Sequence, residues 1–135
     1  MIPRRRVLVG TETVLLIALG AFAGANCRYL LGVAVESSLL STAFVNVTGS
    51  FALGALTREA QIVGVLSQRS QRILGTGFLS SFTTYSTFVL DALTATPAVG
   101  AVYVLGSYAL GFVGVMLGRQ TVAGLSTGET VGSDA

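Results

Sequence analysis

Hydrophobic residues along this chain gather into four runs, at about 14–35, 39–57, 73–93 and 97–118, separated by short polar stretches. A helix needs roughly 20 apolar residues to cross the hydrocarbon core of a bilayer, so the pattern predicts an all-α membrane protein with four transmembrane helices. Glu36-Ser37-Ser38 is a very short turn, which makes spans one and two antiparallel neighbours. Thr94-Ala95-Thr96-Pro97 is the next turn, and Pro97 suits the first turn of span four. The longest loop, 57–72, carries Arg58, Glu59, Arg69 and Arg72. Four spans use almost the whole chain, giving a single domain over 1–135. The basic stretch 1–13 and the Gly/Ser/Thr-rich stretch 119–135 are expected to be flexible tails.

Polar positions inside the runs carry the second layer of the pattern. In the third run, Ser80, Ser81, Thr83, Thr84, Ser86 and Thr87 crowd hydroxyls into eight residues, with Phe82 and Tyr85 between them, Phe88 after them, and Gly75 and Gly77 just before. Hydroxyls this dense cannot all face hydrocarbon, where an unpaired polar group costs several kcal/mol. With the glycines, they predict a break in the third helix that frees backbone carbonyls to hold a cation or line a path. In span two, Thr42, Asn46 and Ser50 fall four apart and form a polar stripe. Asn46 fits helix-to-helix hydrogen bonding, and its amide N–H groups also suit a dehydrated anion. In span one, Gly20, Gly24, Arg28 and Gly32 share a face. Its glycines predict close helix packing. Arg28 reads either as a snorkelling side chain or as an electropositive vestibule. Gly100, Tyr103, Ser107, Gly111, Gly114 and Gly118 form a small or polar face on span four.

Composition sharpens this picture. Of 135 residues, 52% are hydrophobic and 10% charged, against about a quarter charged in a soluble domain. The opening Met-Ile-Pro-Arg-Arg-Arg and the Ala21-Phe22-Ala23 sequence imitate a signal peptide, but the apolar run continues past them, and the segment is read as a retained first span. A net charge of +2 with arginines flanking the spans points to topology, with no nucleic-acid partner. Arg4, Arg5, Arg6, Arg58, Arg69, Arg72 and Arg119 fall on one side, so the positive-inside rule places both termini in the cytoplasm of a multi-pass cell-membrane protein.

The single cysteine, Cys27, has no internal partner, and without histidine a metal cluster is implausible. No hydrolase, kinase or redox motif is present, so no enzyme is expected. The intramembrane inventory is hydroxyls, one amide, ring edges and one guanidinium, without buried carboxylates, and it favours an anion as the permeant species. Ring edges are the positive rim of the aromatic quadrupole, and Tyr85 and Phe88 share a face. The alternative is a four-span exchanger of the small multidrug resistance type, which needs a central intramembrane acid. Glu12 and Asp91 stand near span ends instead. A purely structural subunit leaves the hydroxyl-rich stretch unexplained.

Three segments resemble the Fluc (CrcB) family of fluoride-specific channels. Gly-Ala-Phe-Ala-Gly-Ala-Asn-Cys-Arg-Tyr at 20–29 is similar to that family's GGxxGAxxRY, and Val-Asn-Val-Thr-Gly-Ser-Phe-Ala-Leu-Gly at 45–54 to its VNxxGSFxxG. Residues 77–88 are similar to GFCGGLTTFSTF, with Asp91 where an acidic residue often follows. The resemblance implies passive export of cytoplasmic fluoride through an antiparallel dual-topology dimer in membrane lipid, with two narrow pores and a central structural Na⁺. By position it implies Na⁺ ligation by the Ser80 and Thr83 backbone carbonyls. It assigns the pore aromatics to Tyr85 and Phe88, the pore amide to Asn46, the polar track to Thr42, Tyr103 and Ser107, and the vestibule to Arg28. Departures are Ser80-Ser81 for the usual Gly-Gly, Phe82 for Leu and Tyr85 for Phe. Together with the one-sided arginines, they predict pairing with a second, oppositely oriented homologue, the alternative being a homodimer.

Overall fold

The computed structural model describes the backbone of residues 4–131 and the side chains of 10–126. Six α-helices run in order: α1 (Arg4–Ala34), α2 (Ser38–Ile62), α3 (Gln68–Arg72), α4 (Ser80–Phe82), α5 (Tyr85–Thr94) and α6 (Pro97–Val131). A π-helical segment, Ile73–Leu79, joins α3 to α4. Within α1, α2 and α6, the stretches Gly10–Ala34, Ser38–Ile62 and Pro97–Ser126 are long and apolar enough to cross a bilayer. The remaining apolar run is divided among the π-helical segment, α4 and α5.

Local chemistry sets the starts. Ser37 caps α2 by accepting from the Leu40 N–H at 3.4 Å, and Ser67 caps α3 by accepting from the Ser70 N–H at 3.1 Å. Pro97 opens α6, where its missing N–H costs no helical bond. The turn after α2 uses Gly64 at φ +68°, and the Glu59 carboxylate accepts from the Leu66 N–H at 2.6 Å, folding that turn back onto the helix.

Helix persists beyond the bounds that hydropathy sets. The stretch 119–135, expected as a flexible tail, continues α6 as far as Val131, and α1 begins at Arg4 rather than near residue 14. After Pro97 no proline interrupts the chain, and each residue added to an existing helix gains a hydrogen bond, so α6 propagates past its apolar part. Its 35 residues span about 52 Å, well beyond a hydrocarbon core of about 30 Å.

Glycine brings the helices together in two pairs. Along α1, a Cβ at Gly20 would lie 2.7 Å from the Ile73 carbonyl oxygen, and one at Gly24 would collide with that of Phe78. From the other side, a Cβ at Gly77 would lie 2.7 Å from the Ile17 carbonyl oxygen. Between α2 and α6, side chains at Gly54 and Gly118 would strike the carbonyls of Val115 and Phe51. Such backbone proximity is how membrane helices gain dispersion energy where no hydrophobic effect drives them together. Gly32, placed by spacing on the packing face of α1, has no atom within 4 Å of its Cβ position. It lies past the point where α4 ends, and nothing packs on it.

The burial pattern is that of a protein solvated by lipid. Val45, Leu79, Phe82 and Phe88 are the buried large apolar side chains among the described residues, whereas Phe22 is 71% exposed and Val102 72%. Several buried positions are polar instead: Ser41, Thr42, Thr84 and Asp91. The expectation of no buried carboxylate is corrected by Asp91. It sits near the end of α5, where the sequence suggested reach to solvent, yet α2 and α6 cover it.

Candidate functional site

Helical hydrogen bonding stops at Phe82 and resumes at Tyr85. Thr83 (φ −78°, ψ 161°) and Thr84 (φ −147°, ψ 126°) between them are extended, a conformation that β-branched residues adopt readily. Extended backbone in a nonpolar interior leaves peptide groups without helical partners. Asn46 of α2 answers both groups of Thr84: its Oδ1 accepts from the Thr84 N–H at 2.8 Å, and its Nδ2 donates to the Thr84 carbonyl at 2.9 Å. One asparagine amide therefore replaces the hydrogen bonds that a continuous helix would have made there.

Thr83 and Thr84 complete the arrangement with their own hydroxyls. Thr83 Oγ1 donates back to the Leu79 carbonyl at 3.0 Å, alongside its N–H at 3.0 Å. Thr84 Oγ1 caps α5, accepting from the Thr87 N–H at 3.3 Å and donating to Thr87 Oγ1 at 3.0 Å. Gly49 makes room below, since any Cβ there would run into the Thr83 methyl. From α1, Arg28 Nη1 donates to the Thr83 carbonyl at 3.4 Å.

Two concavities meet at this interruption. A groove of about 490 Å³ is lined by Asn46, Ser80, Thr83, Tyr85, Phe88 and Ser107 together with apolar residues of α2 and α6. A smaller hollow of about 310 Å³ is lined by Arg28, Glu36, Ser38, Ser41, Thr42 and Thr87. Thr84 lines both and forms the wall between them. The hollow is polar; the groove combines hydroxyls and an amide with aromatic rings.

The ring cluster centres on Phe88, which is buried. Tyr85 lies 6.1 Å away and tilted, Tyr103 5.2 Å away and tilted, and Tyr108 5.9 Å away and edge-on at 86°. Tyr85 is 72% exposed on the open side of the groove. Tyr103 stands behind Phe88, outside both concavities, with its hydroxyl beside Thr42.

Of the residues singled out from sequence, Asn46, Ser80, Thr83, Tyr85, Phe88 and Ser107 share the groove, and Arg28 and Thr42 face the hollow across Thr84. Of the two readings of Asn46, helix-to-helix hydrogen bonding is what the amide does here, while the residue still lines the groove. Sequence reasoning passed over the backbone of Thr84, the edge-on Tyr108 and the small Gly49. The Thr84 hydroxyl was visible in the pattern, but nothing in the spacing signals that its peptide group is the one Asn46 holds. Tyr108 lies off the face shared by Tyr103 and Ser107.

Known proteins supply the context for this geometry. Residues 15–119 match the family described as CrcB-like protein, Camphor Resistance (CrcB). The chain is 50% identical over 115 residues to a protein of Haloarcula marismortui named fluoride-specific ion channel FluC 1, an alignment covering 85% of this chain and 89% of that protein. It is 41% identical over 112 residues to a Natronomonas pharaonis protein of the same name, covering 82% and 94%. It is 40% identical over 117 residues to the fluoride-specific ion channel FluC of Oceanobacillus iheyensis, covering 78% and 91%. With the interruption, its asparagine clamp and the ring cluster in place, and with these matches along nearly its whole apolar length, the chain belongs to the CrcB-like family of fluoride-specific ion channels.

Proposed function

We propose that the chain is a channel subunit that lets fluoride leave the cytoplasm passively, down its gradient, and that α4 and α5 form one crossing interrupted at Thr83–Thr84. The observation that carries this reading is the Asn46–Thr84 clamp, standing where the polar hollow and the aromatic groove share a wall. A small anion gives up its water only where other donors replace it. Hydroxyls of Thr42, Thr87 and Ser107, the second Nδ2 hydrogen of Asn46, and the rims of Tyr85 and Phe88 are such donors, with Tyr103 packed behind Phe88. Arg28, in the hollow, supplies the positive potential that draws an anion toward them. The exchanger alternative lacks support: the relatives carry channel names, and the two acids weighed for it stand away from the middle of a span, Glu12 near the start of the apolar stretch Gly10–Ala34 and Asp91 near the end of α5.

The structural Na⁺ belongs to the same proposal. Ser80 has φ −59° and ψ −32°, ordinary right-handed backbone, so serine fits where related chains carry glycine. Its carbonyl is released because the Thr84 N–H, the partner it would have in a continuous helix, turns to Asn46. The Thr83 carbonyl accepts from Arg28 through one lone pair and keeps another. These two carbonyls, contributed by two subunits, would hold the ion and tie an antiparallel dimer together.

The one-sided arginines support a fixed orientation. Arg69 pairs with Glu12 and Arg119 donates to Gln61 at 3.3 Å, all at the end that carries the termini, whereas the two short turns opposite carry no arginine. That asymmetry supports a reading in which both termini lie in the cytoplasm and the partner in an antiparallel dimer is an oppositely oriented homologue. Fluoride efflux from proteoliposomes, with chloride measured in parallel, tests the reading. Selective fluoride release is expected once the homologue is co-reconstituted and little from this chain alone. Retention of fluoride with the homologue present would defeat the channel reading, and full efflux from the chain alone would defeat the heterodimer.

A further inference from the structure

Asp91, near the end of α5, is only 7% exposed. Ser38 donates to its Oδ1 at 2.7 Å, while its Oδ2 is buried with no hydrogen-bond partner. The Tyr103 hydroxyl is likewise buried, with the Thr42 hydroxyl beside it and no other partner, one turn from the point where α6 meets α5 next to Asp91. The backbone explains the proximity. A Cβ at Gly100 would lie 2.6 Å from the Ala92 carbonyl oxygen, and Tyr103, one turn on, stacks against Phe88, one turn before Asp91.

No cationic side chain balances this carboxylate among the described residues. Their one ion pair is Arg69–Glu12, at the other end of the fold. Arg58, Arg72 and Arg119 also belong to that end, and Arg28 is engaged by the Thr83 carbonyl. A buried carboxylate with no cation beside it is costly, and buried polar atoms left unmatched on two adjoining helices mark the place of an unseen guest. The donors are all oxygens: a carboxylate, a phenol and two aliphatic hydroxyls. That set suits a hard cation, and a single carboxylate suits a single charge. We propose that Asp91 and the Tyr103 hydroxyl, backed by Ser38 and Thr42, form a binding site for a monovalent alkali cation at the end of the fold that holds the two short turns. The bound cation neutralises a carboxylate that would otherwise repel an anion passing Phe88 and Thr42. This site is distinct from the carbonyls of Ser80 and Thr83.

Equilibrium dialysis of the purified full-length protein against radioactive Na⁺, with N-methylglucamine holding ionic strength constant and no fluoride present, tests the site directly. The unmodified protein is expected to retain one Na⁺ per chain more than Asp91→Asn, and Tyr103→Phe to bind that ion about tenfold more weakly, a change typical of losing one bond to a charged group. Equal Na⁺ retention by the unmodified protein and Asp91→Asn overturns the proposal, as does uptake of a proton in place of Na⁺. Should Asp91→Asn fail to fold, Tyr103→Phe decides, since it keeps the carboxylate: unchanged Na⁺ affinity overturns the proposal and weakened affinity supports it.

Discussion

The contact between α2 and α6 and the interruption at Thr83–Thr84 lie against the same helix and are built on opposite principles. Where α2 meets α6, structure comes from what is missing: Gly54 and Gly118 lack the atoms that would hold the two backbones apart. At the interruption it comes from what is added, an amide side chain that substitutes for helical hydrogen bonds. The first contact rests on backbone meeting backbone. The second depends on one side chain of one length and polarity. A membrane protein can thus keep rigid helices and still hold a non-helical segment, provided a neighbouring helix matches the peptide groups that the interruption exposes, as Asn46 does for Thr84.

The largest effect is expected from Asn46→Leu. The change keeps the branching at Cγ and removes both bonds to Thr84, leaving an N–H and a carbonyl buried and unmatched. Each such group costs about 1–3 kcal/mol, so the variant should lose about 2–6 kcal/mol of stability. Thermal unfolding in detergent measures that loss. Fluoride efflux per folded molecule should also collapse, because the passage itself is no longer held. Unaltered efflux from folded Asn46→Leu would mean that the clamp is ornamental and the comparison mistaken.

Gly118→Ala probes the other principle and should cost less, about 1–3 kcal/mol, the usual penalty of overpacking. The added methyl meets the Phe51 carbonyl, which belongs to a helix backbone and cannot rotate away. Unfolding should therefore occur at lower temperature, while efflux per folded molecule stays near that of the unmodified chain. That split separates the two regions: one variant loses conduction together with stability, the other loses stability alone.

Much of this was legible in the order of residues. Three of the four apolar runs became helices long and apolar enough to cross a bilayer, and the run divided into shorter pieces is the one crowded with hydroxyls at 80–87. Pairing was harder. Periodicity put Gly20, Gly24 and Gly32 on one face, yet Gly32 packs on nothing, since the segment that covers Gly20 and Gly24 turns extended at Thr83. Helix runs on at 4–13 and 119–131, beyond the apolar runs, because composition reports solubility, whereas helix propagation depends on an uninterrupted hydrogen-bond ladder. Asp91 stands near a span end in the sequence, and the approach of Gly100 to Ala92 together with Ser38 of α2 accounts for its burial. A side chain's environment is set by its neighbours across the interface, and linear spacing does not name them.

Thr84→Val gives the smallest and sharpest of the three effects. Valine has nearly the shape of threonine and favours the same extended backbone, so the peptide group that Asn46 holds should stay in place. What disappears is the hydroxyl that accepts from the Thr87 N–H at a long 3.3 Å and donates to Thr87 Oγ1. Loss of a helix cap costs about 0.5–2 kcal/mol, and a bond this long belongs at the lower end. Unfolding should shift only slightly, and selectivity for fluoride over chloride should persist. A loss as large as that of Asn46→Leu would show that the threonine side chain, and not the asparagine amide, holds the interruption open. The contrast between subtractive packing and additive hydrogen bonding would then have to be redrawn around α5 and its cap.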